Sequence, residues 1–242
     1  MHVVVTGGGS GVGADVAQTL AASHHAVTII GRTKAALAAQ KLPHQTCDVT
    51  DAAAVETAFA AARVEQGPIE AVIANAGAAH SVPFHKMDVM DLQAMTDINL
   101  VGVFNVWKAA LPDMQAAKAG RMIAVASTAG LKGYPYVSGY CAAKHGVIGL
   151  TRALALELAH TGITVNAVCP GFVETPMLVR SIDTIVEKTG MTREDAARSL
   201  SSSNPQKRFV QTGEVASAVM WLLSPAAQAV NGHALSLSGG EI

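Results

Sequence analysis

The sequence predicts an α/β protein with a doubly wound parallel sheet and helices on both faces. Two observations carry that prediction. Short runs rich in β-branched residues alternate with longer Ala/Leu-rich stretches along the whole chain, and the short runs are apolar throughout. A strand that is apolar on both sides must be covered on both sides, as a parallel strand between two helical layers is.

The strands are expected at 2–6, 26–30, 44–47 (the weakest), 70–74, 121–126, 163–168 and 233–237. Helices are expected at 11–23, 33–39, 51–66, 91–117, 138–160 and 212–224. The stretches 91–117 and 138–160 are long, Ala-rich and weakly charged. They should pack on more than the sheet, whether on another subunit or within a well-covered monomer. From Pro176 to Arg208 the alternation stops, and Lys188, Arg193, Glu194, Asp195, Arg198, Lys207 and Arg208 gather there. A helical excursion directly after a strand's C-terminal end lies where open α/β sheets bind ligands, so 176–208 reads as a lid.

Across the 242 residues there is no Pro/Ser-rich linker, no charge run and no repeat, which argues for one domain over 1–242. Only 14% of the residues are charged, against roughly 25% in an average soluble protein. A net charge of −1 offers no footprint for nucleic acid or an anionic membrane. The three cysteines, Cys47, Cys141 and Cys169, and the nine histidines show no metal-ligand spacing, so no metal is expected. Reduced thiols, and the lack of a signal-like or membrane-spanning run, place the protein in the cytoplasm by expectation.

Thr6-Gly7-Gly8-Gly9-Ser10-Gly11-Val12-Gly13 follows the first strand and opens the first helix. Glycines allow a tight turn and close backbone approach, and the helix N-terminus offers free N–H groups to a pyrophosphate. The pattern is that of a Rossmann-like dinucleotide site, with Gly7, Ser10, Gly11, Val12 and Gly13 as its candidate contacts. At the end of the second strand, a site selecting NAD places an acid on the ribose 2′-hydroxyl. This chain has Gly31-Arg32-Thr33 instead. Arg32 can meet a 2′-phosphate with Thr33 adding a hydroxyl, or can be a solvated residue at a strand exit. The first reading favours NADP(H), with NAD(H) the alternative. Asp48-Val49 and Asn75-Ala76-Gly77 close the next two strands on the nucleotide side. Asp48 can accept from an adenine amino group or cap the helix that starts near Asp51.

Tyr140 and Lys144 are four residues apart in a helical stretch and share a face. An ammonium close to a phenol favours the phenolate, which suits a group that gives and takes a proton. Ser127 ends an apolar strand thirteen residues earlier, where its hydroxyl can bond a substrate oxygen. Taken one at a time, these residues are equally at home as surface neighbours and turn formers. Met177 and Leu178 can line an apolar pocket or anchor the lid, while Cys141 reads as a small buried residue.

Together, the glycine motif, Asn75-Ala76-Gly77, Asn99, Ser127, Tyr140-x-x-x-Lys144 and Pro170-Gly171 resemble the classical short-chain dehydrogenases/reductases over essentially the whole chain. The resemblance implies a hydride transfer between a nicotinamide dinucleotide and a small carbonyl/alcohol substrate. It implies a catalytic tetrad in which Tyr140 is the acid/base and Ser127 positions the oxygen. Lys144 binds the nicotinamide ribose and lowers the Tyr140 pKa, and Asn99 holds a water. Pro170, Gly171, Val173 and Thr175 lie at the nicotinamide. One departure is Ala74 in place of an asparagine before Asn75. The 162–177 run is similar to that of 3-oxoacyl-thioester reductases and aromatic polyketide ketoreductases, implying a β-keto substrate carried on CoA or an acyl carrier protein. The basic lid residues would then receive the carrier's phosphate. The alternatives are an NAD-linked dehydrogenase of a free secondary alcohol and, more remotely, a non-catalytic nucleotide sensor. A homotetramer, built through the two long helices and the last strand, is the implied assembly.

Overall fold

The computed structural model describes residues 1–242. Seven strands form one parallel sheet: β1 (His2–Thr6), β2 (Ala26–Gly31), β3 (His44–Thr46), β4 (Ala71–Ala74), β5 (Gly120–Val125), β6 (Ile163–Pro170) and β7 (Ala234–Leu237). Their order across the sheet is β3-β2-β1-β4-β5-β6-β7. Every pairing is parallel, from Val3 against Val27 in β1–β2 to Ala167 against Ala234 in β6–β7. The chain winds outward from β1 to β3, then returns to β4 beside β1 and winds the other way. The switch point between β1 and β4 opens a crevice at their carboxyl ends, the place where such sheets bind ligands.

Successive strand residues point to opposite faces, so two cores form. On one face Val4, Val72, Met122 and Val165 pack with Phe59, Val106 and Trp107. These come from helices α3 (Ala52–Gln66) and α5 (Gly102–Ala117). On the other, Val3, Val5, Ile29, Ile73 and Ile123 meet Val16, Leu20, Val215 and Val219. Those belong to α1 (Gly11–Ala22) and α9 (Thr212–Leu223). The remaining helices are α2 (Lys34–Ala38), α4 (Val89–Thr96), α6 (Ser138–Glu157), α7 (Pro176–Thr189) and α8 (Arg193–Ser201).

The helix expected at 91–117 forms, but with one widened turn inside it. It starts at Val89 behind an Asp88 capping box, and a π-helical turn over Asp97–Val101 separates α4 from α5. Hydropathy alone does not mark the single turn that takes an extra residue. The stretch 176–208 forms two helices with a small core of their own, Leu178, Ile182 and Ala196. Leu178 therefore anchors this excursion rather than lining a pocket.

Candidate active site

The glycine turn stands at the switch point, held from both sides. Gly7 donates its N–H to Ile30 O at 2.7 Å and has φ +68°. A Cβ on Gly13 would stand 2.4 Å from both Asn75 Nδ2 and Gly7 O, so no larger residue fits. The first turn of α1 carries no acid, and the Ser10 hydroxyl makes no capping bond. Its N–H groups are thus left for an anion, which is what a pyrophosphate requires. Asn75 is spent differently from expectation. Its amide donates to Thr6 O at 2.9 Å, while the Asn75 and Ala76 N–H groups both donate to Thr6 Oγ1 at 3.1 Å. That side chain ties β4 to β1 and shapes the turn.

Arg32 and Thr33 are exposed at the end of β2, and the Thr33 hydroxyl makes no cap bond to α2. Arg32 stands 3.7 Å from Asp48, with the arginine side chain 65% exposed. Asp48 does not cap the next helix. Asp51 does, accepting from Ala53 and Ala54 N–H at 2.9 and 3.0 Å. Asp48 accepts instead from the N–H and hydroxyl of Thr50, bonds that, with Arg32 nearby, hold its carboxyl below the usual range despite partial burial. Val49 is buried, and its carbonyl accepts from Asn105. On the far side of the crevice, the Gly11 Cα region lies against Thr175, whose Cγ2 would be 3.3 Å from a Cβ there. Thr175 caps α7 and bonds Val173 O at 3.2 Å, so the 170–175 stretch closes onto the glycine turn.

Ser127, Tyr140 and Lys144 converge just beyond β5. Ser127 opens a short 3₁₀ turn and accepts from Ala129 N–H at 3.1 Å. A Cβ on Gly130 would meet Lys144 O at 2.7 Å, so glycine lets this loop lie flat on α6. Lys144 is buried, donates to Val125 O at 2.9 Å and holds Nζ 5.7 Å from the Tyr140 ring centroid. Asn99 is fully buried within the π turn. Its amide donates to Ala78 O and Met95 O at 2.8 and 3.0 Å, and its Oδ1 accepts from Ala78 N–H at 3.2 Å. The side chain is therefore fully occupied, and only the loosened backbone of the π turn has carbonyls to offer a water.

Two sequence expectations need correction. Lys144 was expected to lower the Tyr140 pKa, yet burial, against the opposing contribution of the Ser127 side chain, pushes the phenol up to about 12. The ammonium faces Val125 O and the ring rather than the phenol oxygen. Burial also pulls Lys144 itself down to about 8. Secondly, the lid arginines form no free basic cluster. Arg193 pairs with Asp183, Arg198 with Glu194 and Asp195, and Arg208 grips Glu214 with both guanidinium nitrogens. The interleaved acids offset part of its positive charge, four Asp/Glu against six Lys/Arg over 176–208.

Sequence reasoning passed over Lys132, Tyr134 and Glu241, which line the cleft wall beside Ser127. Glu241 contacts Lys132 from the far end of the sequence, and no local pattern announces such a contact.

Comparison with known proteins agrees with this geometry. Residues 1–186 match the short chain dehydrogenase family. The 3-oxoacyl-[acyl-carrier-protein] reductase MabA of Mycobacterium tuberculosis is 35% identical over 98% of this chain and 91% of its own length. The D-beta-hydroxybutyrate dehydrogenase of Cupriavidus necator is 34% identical over 99% of this chain and 96% of its own. Among solved structures, a variant of actinorhodin polyketide ketoreductase with NADPH superposes with a TM-score of 0.95 at 35% identity, covering 99% of this chain and 96% of that one.

Proposed function

The chain belongs to the short chain dehydrogenase family, and from that premise we propose that it reduces the ketone of a 3-oxoacyl thioester or related β-keto substrate with NADPH. It is an oxidoreductase acting on a ketone/secondary-alcohol pair. The observation that carries the reading is the meeting of Ser127, Tyr140 and buried Lys144 at the mouth of the crevice. The substrate class is supported by the names of MabA and the actinorhodin enzyme.

The glycine turn and first turn of α1 (Gly7, Ser10, Gly11, Val12, Gly13) would hold the pyrophosphate, with Asp48, Val49, Asn75, Ala76 and Gly77 lining the nucleoside side. Pro170, Gly171, Val173 and Thr175 would flank the nicotinamide. When bound, the nicotinamide supplies the hydride. Tyr140 then gives its phenol proton to the carbonyl oxygen as negative charge develops there, and the Ser127 hydroxyl donates to the same oxygen. A phenol with a high pKa is fully protonated at neutral pH, the state a ketone reduction needs. The Lys144 ammonium would bond the nicotinamide ribose. Asn99 would act through its π turn, whose backbone carbonyl can hold a water leading from Lys144 to solvent.

NADPH is preferred because Arg32 and Thr33 stand where an NAD-selecting site has an acid. The Arg32–Asp48 pair is exposed and long, so a 2′-phosphate can displace it at little cost. We read the whole 1–242 as one catalytic domain with 176–208 as its lid. We also read it as cytoplasmic, given three unpaired cysteines, and as a homotetramer. The exposed Phe104 on α5 and Trp221 on α9 support association.

The deciding experiment measures initial rates of NADPH and NADH oxidation with acetoacetyl-CoA beside a panel of cyclic ketones. Fast thioester turnover with NADPH supports the reading. Turnover of free ketones only, or with NADH only, replaces it by the NAD-linked alcohol dehydrogenase reading, which the hydroxybutyrate dehydrogenase relative favours.

A further inference from the structure

One buried carboxylate packs against the loop that follows Ser127 and plays no part in the chemistry above. Glu241, in the segment after β7, has a side chain only 3% exposed, with Lys132 Nζ 2.7 Å from its Oε1. The Tyr134 hydroxyl donates to the same oxygen at 2.8 Å. Thr128 Oγ1 lies 2.7 Å from the Tyr134 hydroxyl oxygen. One phenol proton cannot serve both neighbours. With Glu241 ionised it goes to the carboxylate, and the Thr128 hydroxyl donates to the phenol oxygen. The Lys132 ammonium also stands 4.9 Å from the centre of the Tyr134 ring. Burial would raise the Glu241 carboxyl, but hydrogen bonds from Lys132, Tyr134 and Ser203 outweigh it and hold the group below the usual range.

The partners of this one side chain come from three separate segments. Thr128, Lys132 and Tyr134 lie on the loop between β5 and α6, which begins just beyond Ser127. Across the cleft, a Cβ on Gly171 would stand 3.7 Å from Glu241 Oε2, and the Phe172 ring meets Tyr134 edge-on at 6.4 Å and 77°. Ser203 follows α8, the last helix of the excursion. The turn that delivers Glu241 is tightly constrained, since Gly239 at φ +64° would drive a Cβ into Asn204.

Burying a carboxylate costs free energy that a half-exposed lysine offsets only in part, so the presence of Glu241 behind this loop asks for another reason. We propose that Glu241 is a positioning residue for the substrate end of the cleft. Through Tyr134 and Lys132 it sets the β5–α6 loop against Phe172, and so fixes where the Ser127 hydroxyl meets a ketone. It makes no contact with the glycine turn that would hold the pyrophosphate, and of the stretch expected at the nicotinamide it faces only the backbone of Gly171, so its effect should fall mainly on the substrate. The inference rests on the reductase reading for its kinetic test, though not for its structural one.

The test compares Glu241→Gln, which keeps the shape and removes the charge, with Tyr134→Phe, a milder change that keeps the ring. Three quantities are read: KM and kcat for the ketone the wild type reduces, NADPH binding by fluorescence, and amide exchange over residues 128–137. Glu241→Gln should raise the ketone KM by roughly ten- to a hundredfold. NADPH binding should stay within twofold, and exchange over 128–137 should quicken. Adding Lys132→Met should recover part of the KM by removing the ammonium left without its partner, a rescue that general destabilisation would not give. If Glu241→Gln does not fold, Tyr134→Phe should show the same split on a smaller scale. Unchanged ketone KM and unchanged exchange in a variant that binds NADPH would overturn the proposal, as would equal losses for ketone and NADPH. If the wild type reduces no ketone, the reductase reading fails, and the exchange result alone upholds or overturns the role of Glu241.

Discussion

At the scale of single residues, two substitutions separate proton transfer from cofactor choice. Tyr140→Phe removes one hydroxyl from a half-buried ring and leaves the glycine turn untouched. Turnover should fall by about a thousandfold or more, in line with the loss of a general acid, while NADPH still raises the melting temperature. Activity near the wild-type level would remove Tyr140 from the chemistry. Arg32→Asp restores the acid that an NAD-selecting strand end carries, and it places that acid beside Asp48. The ratio of kcat/KM for NADPH to that for NADH should drop by at least about tenfold, the worth of roughly 1.4 kcal/mol. An unchanged ratio would take Arg32 out of the cofactor site. The two guanidinium classes in this chain make the comparison instructive. Arg32 holds a long, exposed partner it can exchange, whereas Arg208 is held at both terminal nitrogens by Glu214 at 2.7 Å.

At the scale of elements, the turn between β1 and α1 should tolerate almost no change. A methyl group on Gly13 would collide with Asn75 Nδ2 and Gly7 O at once; the Gly7 backbone cannot yield cheaply, and the Asn75 side chain is tied to Thr6 O. Gly13→Ala should cost about 1–3 kcal/mol by overpacking, and the melting-temperature rise produced by saturating NADPH should shrink with it. A full-sized rise would mean that the turn does not hold the pyrophosphate. This turn was readable from sequence because its chemistry is local: glycines, a strand before and a helix after. The strands were readable too, since their unbroken apolar runs reflect burial on both faces. The π turn at Asp97–Val101 was not, because what produces it is the pairing of Asn99 with Ala78, twenty-one residues away. The same limit hid Glu241, whose partners are brought together by the sheet order. It also hid the direction of the Tyr140 shift, which depends on how deeply α6 is packed and not on the Tyr-to-Lys spacing.

At the scale of the whole molecule, stability and the active site pull in opposite directions, and pH exposes the tension. Lys144 is a buried cation whose pKa falls from 10.5 to about 8. Between about pH 8 and 10.5 the unfolded chain keeps a proton that the folded chain has released, so this group makes folding more favourable as pH rises through that window. Tyr140, pushed up to about 12, and Cys47 and Cys169, pushed up to about 11, have the opposite sign. The folded chain holds their protons longer, and they cost stability as pH climbs above their ordinary values. Comparing the wild type with Lys144→Met at each pH cancels Cys47, which Lys144 does not influence, and leaves the lysine together with Cys169, to which it is coupled. At pH 7 the variant escapes a burial cost of roughly 3 kcal/mol and loses one hydrogen bond to Val125 O, worth about 1 kcal/mol. It should therefore be inactive but more resistant to urea than the wild type, and its advantage should shrink steadily toward pH 10.5. Unfolding midpoints at pH 7, 8.5 and 10 decide the matter, and an advantage that does not change with pH would show that Lys144 carries no buried-charge cost. The fold can hold such a cation because its two apolar cores lie on the faces of the sheet, away from the carboxyl ends of the strands, so the site is built where the packing has least to lose.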